Sequence, residues 1–186
     1  MARIVLVSLL QGLSSRFPVY SQTCLNTALA NYGGRVWLPP QQSRDVDELR
    51  RGAGNRPLGM LADLKAGWSP IDPTAGGDDA GRLALAQYDD ELLGNLDMYW
   101  RIPAKINSPI TDNLFELRRE VVDEALGAKV TQAWQQGLET RLKALLVAAA
   151  SGEDQLVFAE VECAYWLRCC LSDEAGIELV WPEMAG

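Results

Sequence analysis

The sequence predicts a three-layer α/β fold, in which a mostly parallel sheet carries helices on both faces. Two observations predict it. The chain begins with a strand, a helix and a strand, and it ends with strand, helix and strand again. Its candidate strands are also short, near-continuous apolar runs, as expected where both faces of a sheet are covered.

Residues 3–10 (R-I-V-L-V-S-L-L) form the first such run. Residues 11–16 read as a turn, and Pro18 suits an early helical position. Val19, Leu25, Leu29 and Tyr32 lie on one helical stripe that Gly33-Gly34 closes. Residues 35–38 are a second short strand, halted by Pro39-Pro40.

The middle of the chain has another texture. Residues 41–110 hold Pro57, Pro70, Pro73, Pro103 and Pro109 together with Gly52, Gly54 and Gly76-Gly77. Short helices are expected over 45–51 and a longer one over 78–100. Long connectors of this kind are unusual as inert links. The reading is a single α/β domain, residues 1–186, with an insert or flap at about 41–110. A segment ordered by a partner is the alternative.

Thr111-Asp112-Asn113 then reads as a helix cap, with Glu116 completing a capping box. Leu114, Leu117, Val121, Val122 and Ala125 are its apolar face, and Gly127 breaks or kinks it. Residues 129–149 repeat apolar side chains (Val130, Trp134, Leu138, Leu142, Leu145, Ala149) at helical spacing. Ser151-Gly152 ends that helix. Residues 155–161 follow as a buried strand, 162–175 as a helix closed by Gly176, and 177–181 as a strand stopped by Pro182. Two strands joined by one helix make a parallel, right-handed unit.

Composition narrows the function. The formal net charge of −8 argues against nucleic acid or an anionic membrane as the main partner. The adjacent pairs Arg50-Arg51 and Arg118-Arg119 read as solvated faces. There is no histidine, which excludes serine–histidine and cysteine–histidine catalysis within the chain and removes the commonest metal ligand. Cys24, Cys163, Cys169 and Cys170 show neither metal-ligand nor disulfide-scaffold spacing and are expected to be reduced, buried residues of a cytoplasmic protein. No run approaches the roughly 20 apolar residues of a membrane span.

Ligands of parallel α/β sheets bind outside the carboxyl ends of the strands. That rule selects two places. After the first strand, Gly12 lets backbone approach a ligand, Ser14 and Ser15 offer hydroxyls, and Arg16 a forked cation. At the end of the strand near residue 160, Glu160 and Glu162 are candidate catalytic carboxylates, facing one side if the strand runs on through Val161; the alternative is that one caps the next helix and the other lies in solvent. Asp78-Asp79, Asp89-Asp90-Glu91 and the Asp45/Asp47 pair read as helix-end or surface charges rather than metal ligands. Trp68 and Trp100 lie in the irregular middle and either pin the flap or mark a binding surface.

The opening I-V-L-V-S followed by a helix resembles Rossmann-like domains, cobalamin-binding ones among them. The resemblance covers fewer than about 40 residues. The histidine motif of cobalamin binders is impossible here, and there is no G-x-G-x-x-G, no Walker lysine and no radical-enzyme cysteine cluster. The cofactor is left open.

The expected function is binding of a nucleotide-like or other anionic small molecule at the loop after the first strand. An enzymatic form would be a histidine-independent transferase or hydrolase using Glu160 or Glu162. Two alternatives stand beside it. One is a non-catalytic accessory or inhibitor protein that docks a protein partner through its acidic surface and aromatic insert. The other is a structural subunit of a homo-oligomer or larger assembly.

Overall fold

The apolar runs at both ends of the chain become strands of one sheet. In a computed structural model, the structure describes residues 1–9, 22–39, 43–61, 76–99 and 102–184. The elements are β1 (Ala2–Leu9), α1 (Gln22–Asn31), β2 (Arg35–Leu38), α2 (Ser43–Ala53) and β3 (Leu58–Met60). There follow α3 (Asp79–Tyr99), α4 (Pro103–Ile106), α5 (Pro109–Leu126) and α6 (Ala128–Ala150). The chain closes with β4 (Gln155–Glu160), α7 (Val161–Ser172) and β5 (Ile177–Val180). Every described strand pairing is parallel, and the strand order is β3-β2-β4-β1-β5.

Strand alternation sorts the core onto two faces. Val5, Val7, Leu156 and Phe158 point to the face covered by Leu25, Ala28 and Leu29 of α1 and by Leu49 of α2. Ile4, Leu6, Val157 and Ala159 point to the other, covered by Leu138 and Leu145 of α6 and by Ala164 and Leu167 of α7. The protein is therefore three-layered, as the doubly buried strands require.

Helices α3 and α5 pack on each other and reach both core faces. Leu85 and Val122 join the α6/α7 side, whereas Leu92, Leu96 and Phe115 join the α1/α2 side. Their junction with the preceding chain is tight. A Cβ on Gly77 or Gly81 would come within 2.3–2.4 Å of the Ala125 carbonyl oxygen, so α3 begins hard against the end of α5.

Three expectations are corrected in detail. The stretch read as an insert from residue 41 holds the short helix expected there, α2, but also an unexpected strand, β3, which pairs with β2 through Val36–Leu58 and Leu38–Met60. Leu58-Gly59-Met60 carries no apolar run that would announce a strand. Gly59 is needed because a Cβ there would meet the Trp37 ring at 2.8 Å. Helix α5 begins earlier than its expected cap: Ser108 is the N-cap, Pro109 the first helical residue, and the Ser108 Oγ accepts the Thr111 N–H at 3.4 Å. Finally, β4 stops at Glu160 and α7 starts at Val161, so Glu160 and Glu162 do not share a strand face.

Charge is unevenly spread over these elements. Helix α3 carries Asp79, Asp89, Asp90, Glu91 and Asp97 against Arg82. Helix α5 carries Asp112, Glu116, Glu120, Asp123 and Glu124 against Arg118 and Arg119. Those two helices hold −7 of the formal −8.

Candidate functional site

Strands β1 and β4 are neighbours at the centre of the sheet, with Leu9 opposite Glu160 at their carboxyl ends. From β1 the chain goes to β2, across β4, and its helix α1 lies on one face. From β4 it goes to β5, across β1, and its helix α7 lies on the other face. Connections that diverge in this way open a crevice outside the strand ends, the usual ligand position in open α/β sheets. Gly12, Ser14, Ser15 and Arg16 belong to the link that follows β1 and lie outside the described residues, as do Trp68 and Trp100.

Glu160 is the last residue of β4, opposite Leu9. It is half-buried, occupies the N-cap position of α7 with φ −55° and ψ 143°, and makes no side-chain cap hydrogen bond to the helix. The first amides of α7, the positive end of its dipole, open in the same direction.

Glu162 has a different environment. Its carboxylate accepts from Arg118 Nη1, while Arg118 Nε and Nη2 donate to the two oxygens of Asp89 at 2.7 and 2.8 Å. One buried guanidinium thus binds carboxylates from α3 and α7 and ties both helices to α5. Burial raises the Glu162 pKa; Arg118 pulls it back, and Asp89, which shares that arginine, adds to the rise. Burial works against the Arg118 charge, but Glu162 and Asp89 outweigh it and hold its pKa above the usual value. Glu162 is a packing partner in this geometry.

The Arg118-Arg119 pair is corrected by the same geometry. Arg118 is buried, and Arg119 is half-buried, lying 3.8 Å over the Trp134 ring and pairing with Asp123 at 2.6 Å. Spacing held the clue: Arg118 follows Phe115 by three residues and precedes Val122 by four, on the inward stripe of α5.

A second buried arginine, absent from the sequence reading, braces the end of β1. β5 pairs with β1 only from Ala2 to Val5. Beyond that point the backbone groups of Leu6 and Ser8 on the β5 side need other partners. Asn107 Oδ1 accepts the Ser8 N–H at 2.7 Å, and Arg168 Nη1 donates to the Leu6 carbonyl at 3.3 Å. Arg168, 5% exposed, also donates to Ser8 Oγ at 2.9 Å and to both oxygens of Asp112, and it stacks under Trp181 at 4.7 Å. Side chains from α7 and from the α4–α5 junction complete the sheet where the short strand ends.

Other chemistry is weaker. Among the described residues, no group of three or more carboxylates and cysteines is arranged to hold a metal ion. Asp78 caps α3 by accepting the Gly81 N–H at 2.7 Å, Asp79 pairs with Arg82, and Asp89 is engaged by Arg118. Burial pushes the Cys163 thiol up to about 12, so it is no nucleophile near neutrality. Cys169, expected to be buried, is exposed. A groove of about 390 Å³ lies at the opposite edge of the sheet, lined by Arg35, Trp37, Lys143, Val147 and Glu153. It adjoins the amino ends of β2 and β4 and the carboxyl end of α6, whose dipole disfavours anions. No helix among the described residues is long and apolar enough to cross a membrane.

No protein-family model matches the chain, and no curated protein or solved structure matches it. The class is defined by the fold alone: a three-layer α/β protein with a five-stranded parallel sheet in the described residues.

Proposed function

We propose that this chain is a small-molecule-binding α/β protein that takes an anionic, nucleotide-like ligand in the crevice outside the carboxyl ends of β1 and β4. The observation that carries the reading is the juxtaposition of Leu9 and Glu160 on central strands whose onward helices pack on opposite faces. The opening turn of α7 supports an anion there, and Gly12, Ser14, Ser15 and Arg16 are the sequence groups suited to hold it. Glu162 belongs to the buried pairing with Arg118, which favours binding as the primary activity. A hydrolytic or transfer step would use Glu160 as its base.

The test is native mass spectrometry and calorimetry on the full chain, with ATP, AMP and inorganic phosphate as probes. One bound equivalent, lost in Arg16→Ala and retained in Glu162→Gln, is expected. Failure of all three probes, or binding indifferent to Arg16→Ala, overturns the reading.

A further inference from the structure

We propose that the outer face of α5 docks a basic amphipathic helix of a protein partner. The inward stripe of α5 is Thr111, Phe115, Arg118, Val122 and Leu126. A second apolar line runs beside it: Ile110, Leu114, Leu117 and Val121, at spacings of four, three and four. That spacing is the seam along which one helix pairs with another. Leu114 and Val121 are half-buried with their inner sides on the core. Ile110 and Leu117 stand out from it, 73% and 46% exposed and seven residues apart. Two such anchors lie about 10 Å from one another along the helix, the reach of a docked i, i+7 pair.

Charge selects the occupant. Glu120 and Glu124 are exposed three residues after Leu117 and Val121, so they follow the seam along one side. Helices α3 and α5 together carry −7, and Asp90, Glu91 and Asp97 of α3 are exposed as well. A second copy of this chain would bring the same negative surface to the contact, and like charges across an interface oppose it. A helix with apolar anchors at i, i+3, i+4 and i+7 and Lys or Arg on its flanks matches both the seam and its border.

The experiment titrates the full chain into a fluorescein-labelled peptide of Leu and Lys heptads, beside the same peptide with Glu in place of Lys. Anisotropy should show saturable one-to-one binding of the Leu/Lys peptide and none of the Leu/Glu peptide. Ile110→Gln with Leu117→Gln leaves the net charge unchanged and should weaken binding by about tenfold or more. Glu120→Gln with Glu124→Gln should weaken it and flatten its salt dependence. Circular dichroism melts of both variants check that they fold. Binding that is equally strong in the Ile110/Leu117 variant means diffuse charge attraction and overturns the proposal, as does no binding at all. A dimer in sedimentation that Ile110→Gln with Leu117→Gln abolishes overturns it too, because a second copy then covers the face.

Discussion

The side-chain oxygen of Asn107 accepts the backbone N–H of Ser8 at 2.7 Å, across 99 residues of sequence. It stands where a strand would, because β5 ends opposite Val5. Both residues are buried, and water is a poor substitute partner there. Asn107→Leu keeps the branched heavy-atom outline and removes the acceptor. It should lower the unfolding free energy by roughly 1–3 kcal/mol, the cost of a buried donor left unsatisfied. An unchanged urea midpoint would show that the Ser8 amide finds another acceptor.

Arg168 completes the same edge with its planar fork, reaching Leu6, Ser8 and Asp112 at once. Lysine has the charge without the fork, so it cannot serve three acceptors in fixed directions. Arg168→Lys is expected to cost about 2–4 kcal/mol and to leave the strand end and the start of α5 more open to hydrogen exchange. Protection at Ser8 and Asp112 equal to that of the unmodified chain would contradict this.

Arg118 neutralises carboxylates from two helices, so its removal strands both. Arg118→Met should destabilise the protein by about 3–5 kcal/mol, the usual result of leaving buried charge without its counter-ion. Adding Glu162→Gln to Arg118→Met should recover part of the loss. Additive effects in that double-mutant cycle would mean that Arg118 and Glu162 are not coupled.

The raised pKa of Glu162 has a pH consequence of definite sign. A carboxyl whose folded pKa lies above its unfolded value of about 4.5 binds its proton more tightly in the folded chain. Its contribution is present in full below that value and is lost as pH rises through the folded pKa. Denaturation of the protein and of Glu162→Gln across this range should therefore show their stability difference shifting toward the variant with rising pH. A difference that is flat, or that moves the other way, would mean that Arg118 rather than burial dominates the carboxyl.

The cysteines separate by environment. Cys169 is exposed, whereas Cys24 and Cys163 are buried; burial raises all three thiols, so access to solvent sets them apart. Iodoacetamide at mildly alkaline pH should modify Cys169 first and reach Cys24 and Cys163 only on unfolding, as mapped by peptide mass spectrometry. Early labelling of Cys163 would place it in solvent.

Much of the architecture was legible in the sequence because its signal is local. The apolar run of β1, the helical spacing of Trp134, Leu138 and Leu145, and the glycines at 34, 127 and 152, each with positive φ, identify elements from short stretches of chain. β3 was not legible, since Leu58-Gly59-Met60 becomes a strand only because β2 lies beside it.

The candidate site divides along the same line. Sequence order placed Gly12 to Arg16 after one strand and Glu160 at the end of another. Only the sheet decides that Leu9 and Glu160 are opposite one another, because strand order depends on which way each crossover turns. The buried arginines illustrate the limit most sharply. Residue type marks Arg118 and Arg168 as surface cations, and their burial follows from carboxylates that α3, α5 and α7 bring from 29 to 56 residues away. The sequence by itself determined the elements, other than β3, and the negative charge, which are properties of short segments and of composition. Tertiary structure alone decided the burial of Arg118 and Arg168, since distant segments deliver the counter-ions of both.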